Sequence, residues 1–230
     1  MEHPLIGILA GMGPRSTAPF VDMVVSECQR QYGARDDIDF PKMMICSQPA
    51  PFYEDRLVDH EALESAIRTG LQDLERTGAD LLAIACNTAH VYYADLAASV
   101  KSPLLDMVGL TVEAVPIGAG TVGVIAARPT VESGIYQRAL AGRDLSVADV
   151  GWQDEVDRLL GMTRTIAGPD ELAALWQEIS GLLREAGVET AVVACLDLSA
   201  VLRHAPADLP FIDAAQCLAA DVVRQWLRLR

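Results

Sequence analysis

The sequence predicts an α/β protein made from a duplicated strand-and-helix unit, and three observations carry that reading. Hydrophobic residues make up 51% of the 230 and aromatics only 5%. The apolar stock is Ala, Leu and Val, the composition of helices packed on a buried parallel sheet rather than of a β-sandwich. Short apolar runs that end in glycine or a polar turn alternate with segments of helical periodicity. The second half then repeats the grammar of the first.

Residues 5–10 form an apolar run closing on Gly11-Met-Gly-Pro14, and helical periodicity follows over residues 16–25, which together read as strand, tight turn and helix. Residues 43–47 are a second strand, followed by a proline-bearing loop over 48–56 and a charged helix over about 59–76 that stops at Gly78. Residues 81–85 are a third strand running into Cys86-Asn-Thr-Ala-His90 and another helix. Residues 103–106 offer a fourth short strand before a helix that ends near Pro116. Then Val122-Gly-Val-Ile-Ala126 matches Ile6-Gly-Ile-Leu-Ala10, again with a proline turn behind it. Gly78-Ala-Asp-Leu-Leu-Ala-Ile-Ala-Cys86 aligns with Gly187-Val-Glu-Thr-Ala-Val-Val-Ala-Cys195, and Pro103-Leu-Leu-Asp106 with Pro210-Phe-Ile-Asp213.

Composition excludes several function classes. A net charge of −14 repels a phosphate backbone, so no nucleic-acid partner is expected. Five cysteines, an odd number without CxxC spacing, suit reduced thiols in a cytoplasmic protein better than a disulfide framework. No basic region precedes the first apolar run, so no signal peptide is expected. The uncharged stretch 114–127 is broken by Pro116 and several glycines and falls short of the roughly 20 residues of a spanning helix, so no membrane association is expected.

In an open parallel sheet, ligands bind beyond the carboxyl ends of the strands, where Cys86 and Cys195 both stand. A cysteine at a helix start also feels the positive end of the helix dipole, which favours thiolate. Two opposed thiols suit the inversion of a carbon acid, which needs a base on one face and a proton donor on the other. Asn87 and Thr88, just past Cys86, are the first candidates to hold the substrate carboxylate with nearby N–H groups. The two lysines, Lys42 and Lys101, each lie near a proline and neither stands in a glycine-rich phosphate loop, so a pyridoxal phosphate Schiff base is not expected and no cofactor is called for. His3, His60, His90 and His204 are dispersed, without a ligand pair at helical spacing, so no metal is expected.

These residues resemble the aspartate/glutamate racemases, a cofactor-independent family that uses two cysteines. The resemblance rests on Gly11-Met-Gly-Pro14, the Asp55-Arg56 pair, Ala85-Cys-Asn-Thr-Ala-His90 and residues 130–136, and spans most of the chain. It implies two pseudo-symmetric α/β lobes, each a mostly parallel sheet flanked by helices, with the active site in the cleft between them and Cys86 and Cys195 as opposed acid and base. It further implies that residues 1–102 with 210–230 form the first lobe and 103–209 the second, the last strand and helix returning to the first. By the same resemblance Asn87, Thr88, Thr130 and main-chain groups around Met12 and Gly13 hold the α-carboxylate. Arg56 is then a candidate for a second carboxylate and Gln48 for side-chain contact. A homodimer is a further implication.

The departure lies where the family usually has Cys-Thr-Glu and this chain has Cys195-Leu196-Asp197. A hydroxyl donor is missing, which typically weakens binding of a charged group by roughly 1.5 to 3 kcal/mol unless the Leu196 N–H takes over. An inward-pointing Asp197 also repels a dicarboxylate. Arg164 is a candidate for the basic residue that many relatives place in the second lobe.

Plainer readings stand beside these. Cys28, Cys46 and Cys217 read as small core residues. Gly11-Met-Gly-Pro fails as a dinucleotide fingerprint because Ser16 takes the place of the third glycine. Asp55-Arg56 reads equally as a surface ion pair, and His90 reads as a packing or capping histidine. The charged runs 61–76 and 154–158 are solvated helix faces, and Trp152 and Trp176 are core or interface anchors. The same fold also serves decarboxylases and maleate-type isomerases, in which one cysteine is a proton donor or nucleophile, or a non-catalytic binding protein.

Overall fold

The computed structural model describes residues 4–52, 57–149, 151–165, 168–202 and 209–230. The chain divides into two compact units, Met1–Met107 with Leu218–Arg230, and Val108–Cys217.

The first unit runs β1 (Ile6–Ala10), α1 (Thr17–Tyr32), β2 (Met43–Ser47), α2 (His60–Arg76), β3 (Leu81–Ile84), a 3-10 turn (Thr88–Tyr92) and α3 (Tyr93–Ala98). Its strands pair in parallel in the order β2-β1-β3. Helix α1 outruns the expected 16–25 because its buried stripe of Phe20, Met23 and Val24 continues through Glu27 and Cys28. The polar run over its last turns hides that stripe, since buried Glu27 is paired with Arg30 at 2.6 Å. Asp59 caps α2 by accepting from the Ala62 N–H at 3.0 Å. Leu63, Ile67, Leu71 and Leu74 form its buried stripe, so the charges of this helix are its solvent face. The expected fourth strand shrinks to a single parallel bridge between Leu82 and Leu104. Pro103 has no N–H to donate and the chain turns into α4 (Met107–Ala114), so the ladder stops there.

The second unit takes up most of α4 and continues β4 (Thr121–Ala126), α5 (Arg128–Glu132), α6 (Ile135–Ala141), β5 (Ser146–Val147), α7 (Gln153–Arg164), α8 (Pro169–Glu185), β6 (Thr190–Ala194), α9 (Leu196–Leu202) and β7 (Phe211–Asp213). Its parallel order β5-β4-β6-β7 reproduces that of the first sheet, with β7 in the place of Leu104. Both faces of the sheet are covered. Ile125, Ala191 and Val193 pack with α7, α8 and α9, while Val124, Val192 and Ala194 pack with α4 and α6. That two-sided burial is why the strands read as continuous apolar runs. Trp152 and Trp176 are both buried in the first of these clusters, as core anchors.

The repeat is legible in detail. A Cβ on Gly7 of β1 would lie 3.0 Å from the Ala79 Cβ, and one on Gly123 of β4 would lie 3.0 Å from Val188, its counterpart.

The chain's return differs from what the family resemblance implied. Phe211–Asp213 does not join the first sheet but pairs in parallel with β6. Only α10 (Ala214–Leu229) carries the chain back, and the division between units falls inside it, after Cys217. The physical reason is the repeat itself: Pro210-Phe-Ile-Asp213 stands to β6 as Pro103-Leu-Leu-Asp106 stands to β3. In the first unit α10 buries Leu218, Ala219, Val222, Val223 and Trp226, and the Trp226 indole donates to the Pro4 carbonyl at 2.9 Å. Among the described residues no helix is long and apolar enough to cross a membrane.

Candidate active site

Parallel pairing sends every strand of a sheet out at the same edge, so residues far apart in sequence leave together. In the first unit β1 ends in register with β2, Ala10 opposite Ser47, and Leu9 stands opposite Ile84 of β3. Past those ends come Gly11, Met12 and Gly13, then Gln48, then Cys86, Asn87 and Thr88. Met12 and Cys86 are half-buried and pack against the same apolar cluster. Asn87 is buried and Thr88 half-buried. Arg56 and its neighbour Asp55 lie outside the described residues.

Gln48 is held where it is by the backbone of the first loop. Its N–H donates to the Ala10 carbonyl at 2.9 Å, and a Cβ on Gly11 would come within 2.6 Å of that same nitrogen. Gly11 also has φ +95°, which side chains rarely adopt. Gly11→Ala is therefore expected to lower stability by at least about 1 to 3 kcal/mol through backbone strain alone, with further loss from the contact. A thermal melt within a degree or two of the unsubstituted protein would contradict this account.

Behind Cys86 the expected helix begins as a 3-10 turn before α3, so the dipole argument has little support on this side. His90, 1% exposed, places Nδ1 2.9 Å from the Cys86 carbonyl. Because a carbonyl only accepts, Nδ1 carries the proton. Burial pushes the ring's pKa down, against the pull of the backbone at Cys86 and Leu105 and of the Asp106 carboxylate. Tyr93 stacks on it with ring centroids 5.9 Å apart, and its hydroxyl donates to the Leu104 carbonyl at 3.0 Å. The packing role read from sequence holds, and a polar one is added to it.

In the second unit β4 and β6 end in register, Ala126 opposite Ala194. Thr130, in α5, is buried four residues past the first of these ends. Half-buried Cys195 directly follows the second and opens onto α9, with Leu196 buried and Asp197 half-buried. The Gln153 amide donates to the Ala126 carbonyl at 3.1 Å, and Arg128 pairs with Asp154 at 2.8 Å, fastening α5 to α7. The Ser199 hydroxyl lies 2.7 Å from Asp213 Oδ1 and 3.2 Å from the Cys195 carbonyl. The side chain of Arg164 lies outside the described residues.

The structure thus gathers Met12, Gly13, Gln48, Cys86, Asn87 and Thr88 at one sheet edge, and Thr130, Cys195, Leu196 and Asp197 at the matching edge of the other sheet. Of the remaining cysteines, Cys28 is buried and Cys46 half-buried, and burial pushes both thiols up, away from the thiolate. Among the described residues no cluster of three or more His, Cys, Asp or Glu side chains is arranged to hold a metal ion. Sequence reading missed the polar groups behind the two cysteines, Asp106 with His90 and Ser199 with Asp213. The signal was present in the shared four-residue spacing and in the aspartate that closes both repeats.

A duplicated, parallel α/β scaffold with one cysteine at the carboxyl edge of each sheet defines a class of two-lobed enzymes. Residues 9–222 match the Asp/Glu/hydantoin racemase family. The chain is 42% identical over 224 residues to the broad specificity amino-acid racemase RacX of Bacillus subtilis (strain 168), covering 97% of this chain and 98% of that one. Its fold is similar to that of Picrophilus torridus aspartate racemase, with a TM-score of 0.78 at 24% identity over 97% of this chain and 94% of the other. It is also similar to glutamate racemase isoform RacE1 from Bacillus anthracis, with a TM-score of 0.71 at 20% identity over 100% and 84%. The chain belongs to the Asp/Glu/hydantoin racemase family.

Proposed function

We propose that the enzyme racemises several α-amino acids without a cofactor, Cys86 and Cys195 acting as base and acid on opposite faces of the α-carbon. The observation that carries this reading is the placement of each cysteine just past the corresponding strand of its sheet, Cys86 after β3 and Cys195 after β6, at equivalent positions of a structural repeat. One thiolate removes the α-proton while the opposite thiol delivers one, and the two exchange roles in the reverse direction. Asn87, Thr88, Thr130 and the main chain at Met12 and Gly13 hold the α-carboxylate, whose orientation keeps the C–H bond in line with the sulfurs. Arg56 and Arg164 are the candidate cations for a substrate side chain.

Leu196 and Asp197 favour side chains other than a second carboxylate. Leu196 is buried and supplies no hydroxyl, and Asp197 puts a carboxylate two residues past Cys195. The likeness to a broad specificity racemase supports the same preference.

The test is a panel of single-enantiomer amino acids incubated with the enzyme in heavy water, with the α-proton followed by NMR and optical rotation in parallel. Exchange with loss of optical activity is expected for more than one amino acid, including at least one with an uncharged side chain. Carbon dioxide release or alkene isomerisation without exchange would replace this reading with that of the related decarboxylases or maleate isomerases. Binding without any turnover would leave a non-catalytic protein.

The same reading extends to a cytoplasmic homodimer. None of the five cysteines is in a disulfide, in keeping with a reducing compartment. Strand β2 lies at the edge of its sheet with Met44 and Ile45 exposed at 39% and 44%. Such an apolar edge is a pairing surface. Sedimentation is expected to give twice the chain mass, and Ile45→Lys to shift it to the monomer; a monomeric unsubstituted protein would reject the dimer.

A further inference from the structure

Both lobes carry the same polar device behind the cysteine. Four residues after Cys86 stands His90, and four after Cys195 stands Ser199. Each is 1% exposed, and each brings a polar side-chain atom close to its own cysteine's carbonyl, His90 Nδ1 at 2.9 Å and Ser199 Oγ at 3.2 Å. In the second lobe the carboxylate that closes the repeat meets Ser199 from the neighbouring segment. Asp213 Oδ1 takes the Ser199 hydroxyl at 2.7 Å and the Ala215 N–H at 2.9 Å, and the Asp106 carboxylate acts on the His90 ring through space.

The two devices differ in how much rests on the side chain. In the second lobe the Ser199 N–H already bonds the Cys195 carbonyl at 3.1 Å, the ordinary α-helical link, and the Ser199 hydroxyl gives its one proton to Asp213 instead. In the first lobe the turn is wound as a 3-10 helix, and the His90 N–H is engaged by the Asn87 carbonyl at 3.0 Å. The link from residue 90 back to the Cys86 carbonyl is made by the imidazole instead. Short 3-10 turns hold their shape poorly by themselves, and a reacting sulfur displaced by about 1 Å can lose on the order of 10²-fold in rate.

We propose that His90 and Ser199 are positioning residues that fix the turns aiming the two cysteines, His90 through its bond to the Cys86 carbonyl and Ser199 through its bond to Asp213, with the first lobe depending on its side chain more than the second. This rests on the two-cysteine reading above.

The experiment measures kcat, KM and melting temperature of the full-length enzyme on the amino acid turned over fastest in the heavy-water panel. The variants are His90→Leu, His90→Asn, Ser199→Ala and Cys86→Ser. His90→Leu is expected to lower kcat by about 10- to 100-fold, because the sulfur is misaligned, with any rise in KM smaller than the fall in kcat. His90→Asn, whose amide nitrogen falls near the place of Nδ1, is expected to recover kcat to within about 5-fold, and Ser199→Ala to lose less than His90→Leu. Equal losses in a folded His90→Asn and His90→Leu would overturn the proposal, as would unchanged kcat in His90→Leu. If His90→Leu does not fold, His90→Asn decides: activity near the unsubstituted level supports the proposal, and lost kcat at an unchanged melting temperature overturns it. An inert Cys86→Ser beside a fully active His90→Leu removes the positioning role alone, whereas a fully active Cys86→Ser removes the two-thiol reading and this inference with it.

Discussion

Replacing either Cys86 or Cys195 by serine is expected to lower racemisation in both directions by roughly 10²- to 10⁴-fold, the range a positioned acid or base contributes. Serine keeps the size and the hydrogen bonds of cysteine but not an accessible anion, so the loss reports proton transfer and not packing. The two variants should differ in a second measurement. With one thiol left, the enantiomer whose α-proton faces it can still be deprotonated and reprotonated from the same side. Each variant should therefore exchange the α-proton of one enantiomer in heavy water without inverting it, and the two variants should choose opposite enantiomers. Loss of all exchange in one variant, with full racemisation kept in the other, would show a single essential cysteine and end the paired-base proposal.

The largest stability effect is expected at Trp152. Its indole is 1% exposed among Leu159, Leu160, Trp176 and Ile179, and Nε1 donates to the Val124 carbonyl of β4 at 3.1 Å. Trp152→Ala is expected to cost about 3 to 5 kcal/mol, since the cavity and the stranded carbonyl add. At about 2 to 4 °C per kcal/mol for a chain of this size, calorimetry should show the melt fall by roughly 6 to 20 °C. Trp152→Phe keeps most of the volume and loses only the donor, so its cost should be nearer 1 to 3 kcal/mol. A Phe variant as unstable as the Ala variant would mean that the hydrogen bond, and not the packed volume, holds α7 to the sheet. The site should feel either change, because β4 leads directly into α5 and Thr130.

Much of the scaffold was legible because its signals are local. The apolar runs at 6–10, 43–47, 81–84, 121–126 and 190–194 are strands in the structure, and Gly78 and Gly187 mark the same turn in both copies, each at a positive φ. The ends were less legible. Helix α1 outlasted its visible apolar stripe because Glu27 is buried in a pair, which composition cannot distinguish from a solvated glutamate. Residues 103–106 had a strand's composition yet made one bridge, and 211–213 stayed with the second sheet where family resemblance had sent them to the first.

The sequence alone pointed to the racemase family and to the residues proposed here for its chemistry. A cysteine after a buried strand, an Asn-Thr pair behind it and a second copy of the pattern are covalent facts about order and spacing, and order is what parallel strands convert into a shared edge. Only the tertiary structure decided what supports those cysteines. Whether His90 packs or donates, whether Glu27 is exposed, and which sheet receives Phe211 depend on partners 3 to 20 residues away in the chain or on the winding of a single turn, as with Arg30 for Glu27 and the β6 strand for Phe211. Hydrogen bonds and burial are set by distances in space, and no local pattern of residue types encodes them.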